Sequence, residues 1–250
     1  MQPKISLITP TRNRVDLLLR TIKNVQQQSL QDWEMLVIDD GDGSGVEAVQ
    51  QLSDPRVRAY HNAGTGQVDA RNTAVQMAQA EVLHLLDDDD RWLDGQHFEK
   101  VLANLGTQPA LLHRAGWLVL EQPQDGVWLE QQRLEFCPNT TALSLRSDNT
   151  ILTSGIAYRK DLHDQLGLFD RELGNYWDWD WFLRVTAQHP LIQLEPPTVL
   201  MSWRGNNTSK DPFDPQKIAY LERLSQKHQL GEIPPKNHFT VIAPTTKAEI

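Results

Sequence analysis

The chain has 250 residues, of which 39% are hydrophobic and 23% charged, and its net charge is −9. This length and composition predict a globular domain and exclude a disordered chain. The acidic balance excludes a basic face for nucleic acid and disfavours charge-driven binding to anionic lipid, although peripheral association with the inner face of a membrane stays open. The single cysteine, Cys137, excludes an internal disulfide and a cysteine zinc site. With no signal peptide or membrane-spanning run recognisable, we expect a cytoplasmic protein.

The first ninety residues alternate between strand-like and helix-like segments. Short apolar runs predict strands, and apolar residues at every third or fourth position predict helices. The predicted strands are residues 5–9, 35–38, 57–60 and 82–86, and the predicted helices are residues 15–28, with Asn13 as cap, and residues 70–78. A Gly, Asp and Ser cluster at 41–45 predicts a turn, since no GK[ST] follows it. This order predicts an α/β fold with a mostly parallel central sheet and helices on both faces.

The second half of the chain is less regular. A helix is predicted to end at Gly106, and a hairpin is predicted from residues 117–120 and 127–129 around an Asp-Gly turn. The remaining predicted elements are a strand over 150–158, a helix over 177–188 and a helix around 218–224. No linker separates two independent domains.

Carboxylates cluster where two of the predicted strands end. Asp39 and Asp40 follow the second strand, and residues 87–90, all aspartates, follow the fourth. Ligands bind outside the carboxyl ends of parallel strands, so both groups are expected at one edge of the sheet. Oxygen ligands without cysteine or clustered histidine favour Mg²⁺ or Mn²⁺, with a diphosphate as its partner. The alternative is a solvated loop in which Asp90 or Asp94 caps the next helix.

A third cluster lies at residues 177–181, where tryptophan and aspartate alternate. As a strand it would turn its aspartates to water, but the spacing of the following apolar residues favours a helix. On a helix Asp178 and Asp180 point about 200° apart, so only one of them can face a site. Asp178 in the first turn is the better catalytic candidate. The tryptophans could form a platform for a sugar ring, whereas core packing is the simpler interpretation of Trp177 and Trp181.

Six motifs in order resemble the family 2 glycosyltransferases of the glycosyltransferase-A fold. They are residues 5–14 (ISLITPTRNR), 33–41 (WEMLVIDDG), 64–72 (GTGQVDARN), 85–92 (LLDDDDRW), 154–170 (SGIAYRKDLHDQLGLFD) and 177–184 (WDWDWFLR). The resemblance implies a Rossmann-like domain over 1–205 with a smaller acceptor-side region. Its nucleotide-sugar-binding half would span about 1–95 and its acceptor-side half about 96–205, and a helical or irregular tail would follow over 206–250.

The resemblance also implies roles for single residues. Asp40 would accept a hydrogen bond from the nucleotide base, and Arg71 would lie near the base and the phosphates. Asp39 would lie close by, either in contact with the ribose or behind the residues that touch the nucleotide. Asp89, with Asp87, would hold the metal. The full set of donor-side positions is Thr9, Pro10, Arg12, Asp39, Asp40, Arg71, Asp87 and Asp88. On the acceptor side, Asp178 would be the general base, and the other candidates are Trp177, Asp180, Trp181 and Arg204.

The implied function is metal-dependent, inverting transfer of a sugar from a nucleoside-diphosphate sugar, UDP favoured, to a hydroxyl of a glycan, a lipid-linked glycan or another acceptor. Mn²⁺ or Mg²⁺ would be the cofactor, and polysaccharide biosynthesis the setting. The alternatives are a catalytically silent sugar-nucleotide-binding module and a nucleotidyltransferase or metal phosphohydrolase on a related sheet. Residues 9–14 contain two arginines but no glycine, which disfavours a triphosphate-binding loop.

The sequence departs from the family pattern at two positions. Trp177 stands where an acid usually precedes the base, and this change keeps the silent-module alternative open. The histidine that often follows the basic residue near the domain end is absent, so a role there would fall to Arg204 or to Asn206 or Asn207.

Overall fold

The computed structural model describes residues 2–204 and 211–242. The strands are β1 (Ile5–Thr11), β2 (Trp33–Asp39), β3 (Val57–His61), β4 (Val82–Leu85), β5 (Arg91–Trp92), β6 (Leu111–Gln124), β7 (Val127–Phe136), β8 (Ala157–Arg159) and β9 (Leu191–Trp203). The α-helices are α1 (Val15–Gln26), α2 (Ser44–Gln51), α3 (Gly66–Met77), α4 (His97–Leu105), α5 (Leu162–Leu166), α6 (Trp177–Thr186), α7 (Pro215–His228) and α8 (His238–Ile242).

The first half of the chain forms a parallel sheet, as its alternating pattern predicts. β1 lies between β2 and β4, and β3 pairs with the other side of β2, all in parallel. Every residue of β2 is buried, because helices cover both faces of the sheet. The carboxyl ends of these strands meet at one edge, where the loops with Asp39, Asp40 and residues 87–90 begin.

Neighbouring residues of one strand point to two separate cores. In β1, Ile8 packs into the core that includes α3, α6 and α7, whereas Ile5 and Leu7 pack into the core that includes α1 and α4. This alternation follows from the period of two along a strand. The predicted arrangement of helices on both faces is therefore confirmed.

The second half of the sheet is mixed rather than parallel. The strand order is β3-β2-β1-β4-β8-β6-β9-β5, with β7 added on β6. β8 is antiparallel to both β4 and β6, whereas β6 and β9 run parallel. The α/β class is confirmed, but antiparallel pairing is more extensive than predicted. The predicted hairpin is present and longer, since β6 and β7 together reach from Leu111 to Phe136.

Several local predictions were wrong. Residues 150–158 form a 3-10 turn (Thr153–Gly155) and contribute only two residues, Ala157 and Tyr158, to β8, and the sequence did not predict α2 or β9. Asn13 does not cap α1. Its φ is 53°, and its side chain accepts a hydrogen bond from the Asp42 backbone N–H at 2.9 Å, joining two loops of the site edge.

A search of the described ranges for membrane spans found no helix with the length and apolar character to cross a bilayer.

Candidate active site

A cavity of about 510 Å³ opens at the carboxyl edge of the parallel strands. One wall comes from the loops after β1, β2 and β4, and another comes from the start of α6 and the segment after residue 211. The cavity therefore brings together chain segments that are far apart in sequence, including Asp40, Asp87, Asp89, Asp178 and Lys236.

The aspartates at 87–90 form an ordered loop. Asp88 is fully buried and accepts a hydrogen bond from Thr11 Oγ1 at 2.6 Å. Asp90 is 4% exposed and accepts from Ser154 Oγ at 2.6 Å and from the Ser202 backbone N–H at 2.9 Å. These contacts exclude the solvated-loop alternative, and Asp90 caps no helix. Asp94 does not cap one either, because the N-cap residue of α4 is Gln96.

Arginines neutralise the remaining charge of this loop. Arg14 contacts Asp88 Oδ1 at 2.6 Å and Asp89 Oδ2 at 3.0 Å, and Arg204 also donates to Asp89 Oδ2. Arg71 donates to Asp87 Oδ1. Arginine suits this position because its planar fork can bind two carboxylates at once and stays charged when buried. Like charges that would repel one another are thereby held within one turn of chain.

Two of these four carboxyls, those of Asp88 and Asp90, have raised pKa values. Burial, with the charge of Asp89 added, raises the pKa of Asp88 to about 7. Burial also raises the pKa of Asp90 well above its usual value, again with the charge of Asp89 contributing. Asp88 and Asp90 therefore hold the loop in shape, and all four aspartates line the cavity.

The donor set for a divalent ion is partial. Within the described ranges, no group of three or more His, Cys, Asp or Glu side chains is arranged to hold a metal. In the same ranges, Asp87 Oδ2 and Asp89 Oδ1 accept no hydrogen bond, and both residues line the cavity. Two carboxylates completed by substrate phosphates and water are a common Mg²⁺ site, so these residues fit such an ion.

The predicted base-binding residues divide between the cavity and the core. Pro10, Arg12 and Asp40 line the cavity. Asp40 Oδ1 accepts hydrogen bonds from Asn62 Nδ2 at 2.7 Å and from the Gly66 backbone N–H at 2.8 Å, which tie β2 to the start of α3. Arg12 is 3.9 Å from the second oxygen of Asp40 and is mostly exposed.

Two other predicted donor contacts lie behind the cavity wall. Thr9 is fully buried. Asp39 is 2% exposed and accepts hydrogen bonds from the backbone N–H groups of Gly41 at 2.8 Å and Gly45 at 2.9 Å. Asp39 therefore shapes the turn that leads into α2 and does not line the cavity, which agrees with the expectation of an indirect role and leaves the ribose contact a prediction.

Asp178 lies in the first turn of α6 and lines the cavity. Its carboxylate accepts hydrogen bonds from the Trp179 backbone N–H at 2.7 Å, from Asn149 Nδ2 at 3.2 Å and from Thr153 Oγ1 at 3.3 Å. These donors are all neutral, and no side chain in the described ranges forms a salt bridge with Asp178. Burial raises the pKa of Asp178 to about 6, even though the N–H donors of Trp179 and Asn149 lower it. The group can therefore accept a proton near neutral pH.

The other predicted residues of α6 point elsewhere. Trp177 is 3% exposed and lines the cavity, whereas Trp181 is fully buried and stacks on His163 at 4.4 Å between ring centroids. Asp180 is fully buried and contacts His228 and Lys227, each at 2.8 Å. Trp181 therefore packs in the core, which was its simpler interpretation, and neither Trp181 nor Asp180 lines the cavity. Their positions follow from the helical geometry that separates Asp178 from Asp180.

Arg204 does not line the cavity directly but reaches it through Asp89. Asn206 and Asn207, the alternatives at this point of the sequence, lie outside the described residues.

Sequence reasoning missed several residues of the site. Asn149 and Thr153 orient Asp178, and Arg14 pairs with the aspartate loop. Arg14 could have been suspected as a cation near the strand end, but Asn149 and Thr153 carry no local signal. The cavity wall after residue 211, which includes Lys217, Lys236 and His238, was also missed because its position depends on tertiary packing alone.

Comparisons with known proteins agree with this geometry. Residues 6–166 match the sequence profile of Glycosyl transferase family 2. The Bacillus subtilis protein called uncharacterized glycosyltransferase YwdF is 32% identical over 243 residues, which are 96% of this chain and 89% of that protein. A Campylobacter jejuni enzyme, GalNAc(5)-diNAcBac-PP-undecaprenol beta-1,3-glucosyltransferase, is 36% identical over 98 residues, 37% of this chain and 32% of that enzyme.

Solved structures share the fold at low sequence identity. The mannosyltransferase PcManGT of Pyrobaculum calidifontis, in complex with GDP-Man and Mn²⁺, has a TM-score of 0.64 at 17% identity, covering 97% of this chain and 68% of that one. S. aureus TarS in complex with UDP-GlcNAc has a TM-score of 0.64 at 15% identity, covering 90% of this chain and 66% of that one. These likenesses show the glycosyltransferase-A fold.

The chain belongs to glycosyl transferase family 2 and is a glycosyl-transfer enzyme. Membership of this family disfavours the nucleotidyltransferase and silent-module alternatives.

Proposed function

We propose that this enzyme transfers a sugar, with inversion, from a nucleoside-diphosphate sugar to a hydroxyl of a glycan or lipid-linked glycan, with Mn²⁺ or Mg²⁺ as cofactor. UDP is the favoured nucleotide. The names of relatives support the acceptor class, since the Campylobacter jejuni enzyme is named for an undecaprenol-linked glycan. The nucleotide sugars and Mn²⁺ in the structures of fold relatives support the donor class and the metal.

The observation that carries the proposal is the position of Asp178 in the same cavity as the aspartate loop. Inverting transfer needs a base on the face of the sugar opposite the leaving diphosphate. Asp178 and the aspartate loop line the same cavity, so a donor sugar bound there with its diphosphate toward Asp87 and Asp89 would have a carboxylate available as base. With its pKa near 6, the Asp178 carboxylate takes the proton of the acceptor hydroxyl as that oxygen attacks the anomeric carbon.

The donor side would hold the nucleotide. Pro10, Arg12 and Asp40 would bind the base, and Arg71, which lines the same cavity and donates to Asp87, would bind the phosphates. Asp87 and Asp89 would hold the metal, which offsets the charge that develops on the departing diphosphate. Arg14 and Arg204 hold Asp89 in place from two sides.

The acceptor side would include chain outside the part that matches the family profile. Residues 211–242 add Lys217, Leu221, Pro234, Lys236, Asn237, His238 and Val241 to the cavity wall. Lys236 contacts Asp148 at 2.5 Å, next to the Asn149 that orients Asp178. The tail therefore belongs functionally to the acceptor-side half, and its mixture of apolar and basic side chains suits a glycan acceptor on an anionic carrier.

The proposal is tested by hydrolysis of a panel of sugar nucleotides, with Mn²⁺ and with chelator, because slow donor hydrolysis needs no acceptor. We expect chelator-sensitive release of one nucleoside diphosphate. Asp125→Asn, at the exposed tip of the β6–β7 hairpin, is the matched control. Absence of both hydrolysis and nucleotide binding across the panel would contradict the proposed donor class.

A further inference from the structure

The Trp177 ring contacts the guanidinium of Arg71. The guanidinium carbon of Arg71 lies 4.3 Å from the centroid of the Trp177 ring, which is the geometry of a cation–π contact. Phe169 packs edge-on against the same ring, with centroids 4.7 Å apart and planes at 72°. The indole is thus clamped between an aromatic neighbour and Arg71, and both Trp177 and Arg71 are nearly fully buried.

Arg71 extends this contact to the aspartate loop. Its Nη2 donates to Asp87 Oδ1, and its Nη1 donates to Gln67 Oε1 at 3.0 Å. Its Nε is buried without a hydrogen-bond partner in the described ranges. A buried cation with an unused donor is costly unless a ligand completes it. Because Arg71 lines the cavity, an anionic group of the substrate could supply that partner.

An aromatic ring and an acid at position 177 would act on Arg71 in different ways. A carboxylate there would pair with the guanidinium, share its hydrogen-bond donors and reduce its net charge. The indole face supports the guanidinium without using any of its N–H groups. Within the described ranges the salt bridge of Arg71 is with Asp87, and the indole face helps to keep its planar fork in a fixed orientation.

We propose that Trp177 is a positioning residue that holds the Arg71 guanidinium against Asp87, so that Arg71 can bind the diphosphate of the donor. This inference rests on the proposed function. Trp177, which stands where the family usually has an acid, thereby gains a role in donor binding. The sequence alone favoured core packing or contact with the acceptor for this residue.

The test measures the affinity of the full chain for UDP, and in parallel for GDP, with Mn²⁺ by titration calorimetry. We expect Trp177→Leu to weaken binding of the tighter nucleotide about tenfold, within the range of a desolvated cation–π contact. Trp177→Phe keeps a ring face and should stay within about threefold of the wild type. Trp117→Leu is the matched control, since it removes a similar stack with Arg133, at 5.7 Å and outside the cavity.

A double-mutant cycle separates positioning from simple packing. If Trp177 acts through Arg71, then Trp177→Leu should cause no further loss of affinity in an Arg71→Gln background. The same tenfold loss in that background, or an unchanged affinity of Trp177→Leu, would overturn the inference. If Trp177→Leu does not fold, Arg71→Lys replaces it, because lysine keeps the charge but loses the planar fork. Wild-type affinity in Arg71→Lys would also overturn it.

The wild-type result separates this inference from the proposed function. A wild-type protein that binds neither nucleotide contradicts the proposed function and, with it, the role of Trp177. A wild-type protein that binds, with a Trp177→Leu variant that binds equally well, contradicts only the role of Trp177.

Discussion

The two walls of the cavity treat their carboxylates in opposite ways. On the wall built from the parallel strands, Asp87, Asp88 and Asp89 each contact an arginine. On the wall built from α6, Asp178 receives hydrogen bonds from neutral groups only, among the residues that the structure describes. The arginine contacts fix the positions of the Asp87 and Asp89 carboxylates, which suits a metal and a diphosphate, whereas burial raises the pKa of Asp88 to about 7. An unpaired carboxylate in a partly buried position keeps a raised pKa, which suits a base.

The same contrast exists on α6 itself, between residues two positions apart. Burial alone would raise the pKa of Asp180, but the hydrogen bond from His228 and the charges of Arg184 and Lys227 hold it below its usual value. Asp178, one face away, has its pKa raised to about 6. Asp180 thus joins α6 to α7, whereas Asp178 lines the cavity and can act as a base.

The largest effect is expected from neutralising the base. Asp178→Asn should keep donor binding but lower transfer to acceptor by about 10²–10⁴-fold, the usual contribution of a general base. The measurement is the initial rate of transfer with a saturating donor, and nucleotide affinity is measured alongside. Wild-type transfer rates in this variant would remove Asp178 from the role.

A smaller effect, on nucleotide binding, is expected from changing Asp89 in the aspartate loop. Asp89→Asn should weaken Mn²⁺-dependent binding of nucleoside diphosphate by about 10–100-fold, a typical loss when a metal site is disturbed. The binding titration is made with Mn²⁺ and with chelator, and Asp125→Asn again serves as the control. If Asp89→Asn retained the full Mn²⁺-dependent affinity, Asp89 would not be a metal ligand.

The pH dependence of the transfer rate should report the ionisation of Asp178. Asp178 acts in its ionised form, so the rate should rise with pH through about 6 and fall about tenfold for each pH unit below that value. The measurement is the rate at a subsaturating acceptor concentration between pH 4.5 and 8.5, with protein stability followed in the same buffers. A rate that stays constant down to pH 5 would contradict the raised pKa.

Asp180 should matter for stability rather than for chemistry. Asp180→Ala leaves Arg184, Lys227 and His228 without their shared carboxylate, and these partners are partly exposed, so we expect a loss of about 1–3 kcal/mol. For a chain of this size that corresponds to a fall in Tm of several degrees at neutral pH. Asp164→Ala, an exposed aspartate on α5, is the control. A Tm equal to that of the control would show that Asp180 does not anchor α7.

The smallest effect is a gain in stability. The folded-state pKa of Asp178, about 6, lies above the ordinary value of an aspartate, so the folded state binds this proton more tightly than the unfolded chain does. Stability from this group is greatest below about pH 4 and is lost as pH rises through 6. Asp178→Asn should therefore raise the Tm by a degree or two at pH 7.5 and by less at pH 4.5. A lower Tm at pH 7.5 would show that Asp178 also stabilises the fold in its charged form.

Much of the cavity wall that is formed by the parallel strands was predictable from the sequence. The mostly apolar runs 35–38 and 82–86, which fall in β2 and β4, are each followed at once by aspartates, so the meeting of these aspartates at one edge follows from parallel pairing. The helical reading of 177–181 also separates Asp178 from Asp180. These features are local, because strand and helix periods alone determine which residues share an edge or a face.

The tertiary structure decided which of the charges are paired and which stay available. Arg14 and Arg204 converge on Asp89 from positions 75 and 115 residues away along the chain. Asn149 and Thr153 reach Asp178, and residues 211–242 close the cavity, without any periodic signal in their own segments. The sequence by itself determined the order of strands and helices and the acidic edge of the sheet. Only packing determined the unpaired state of Asp178 and the contact between Trp177 and Arg71, because both depend on burial among distant segments.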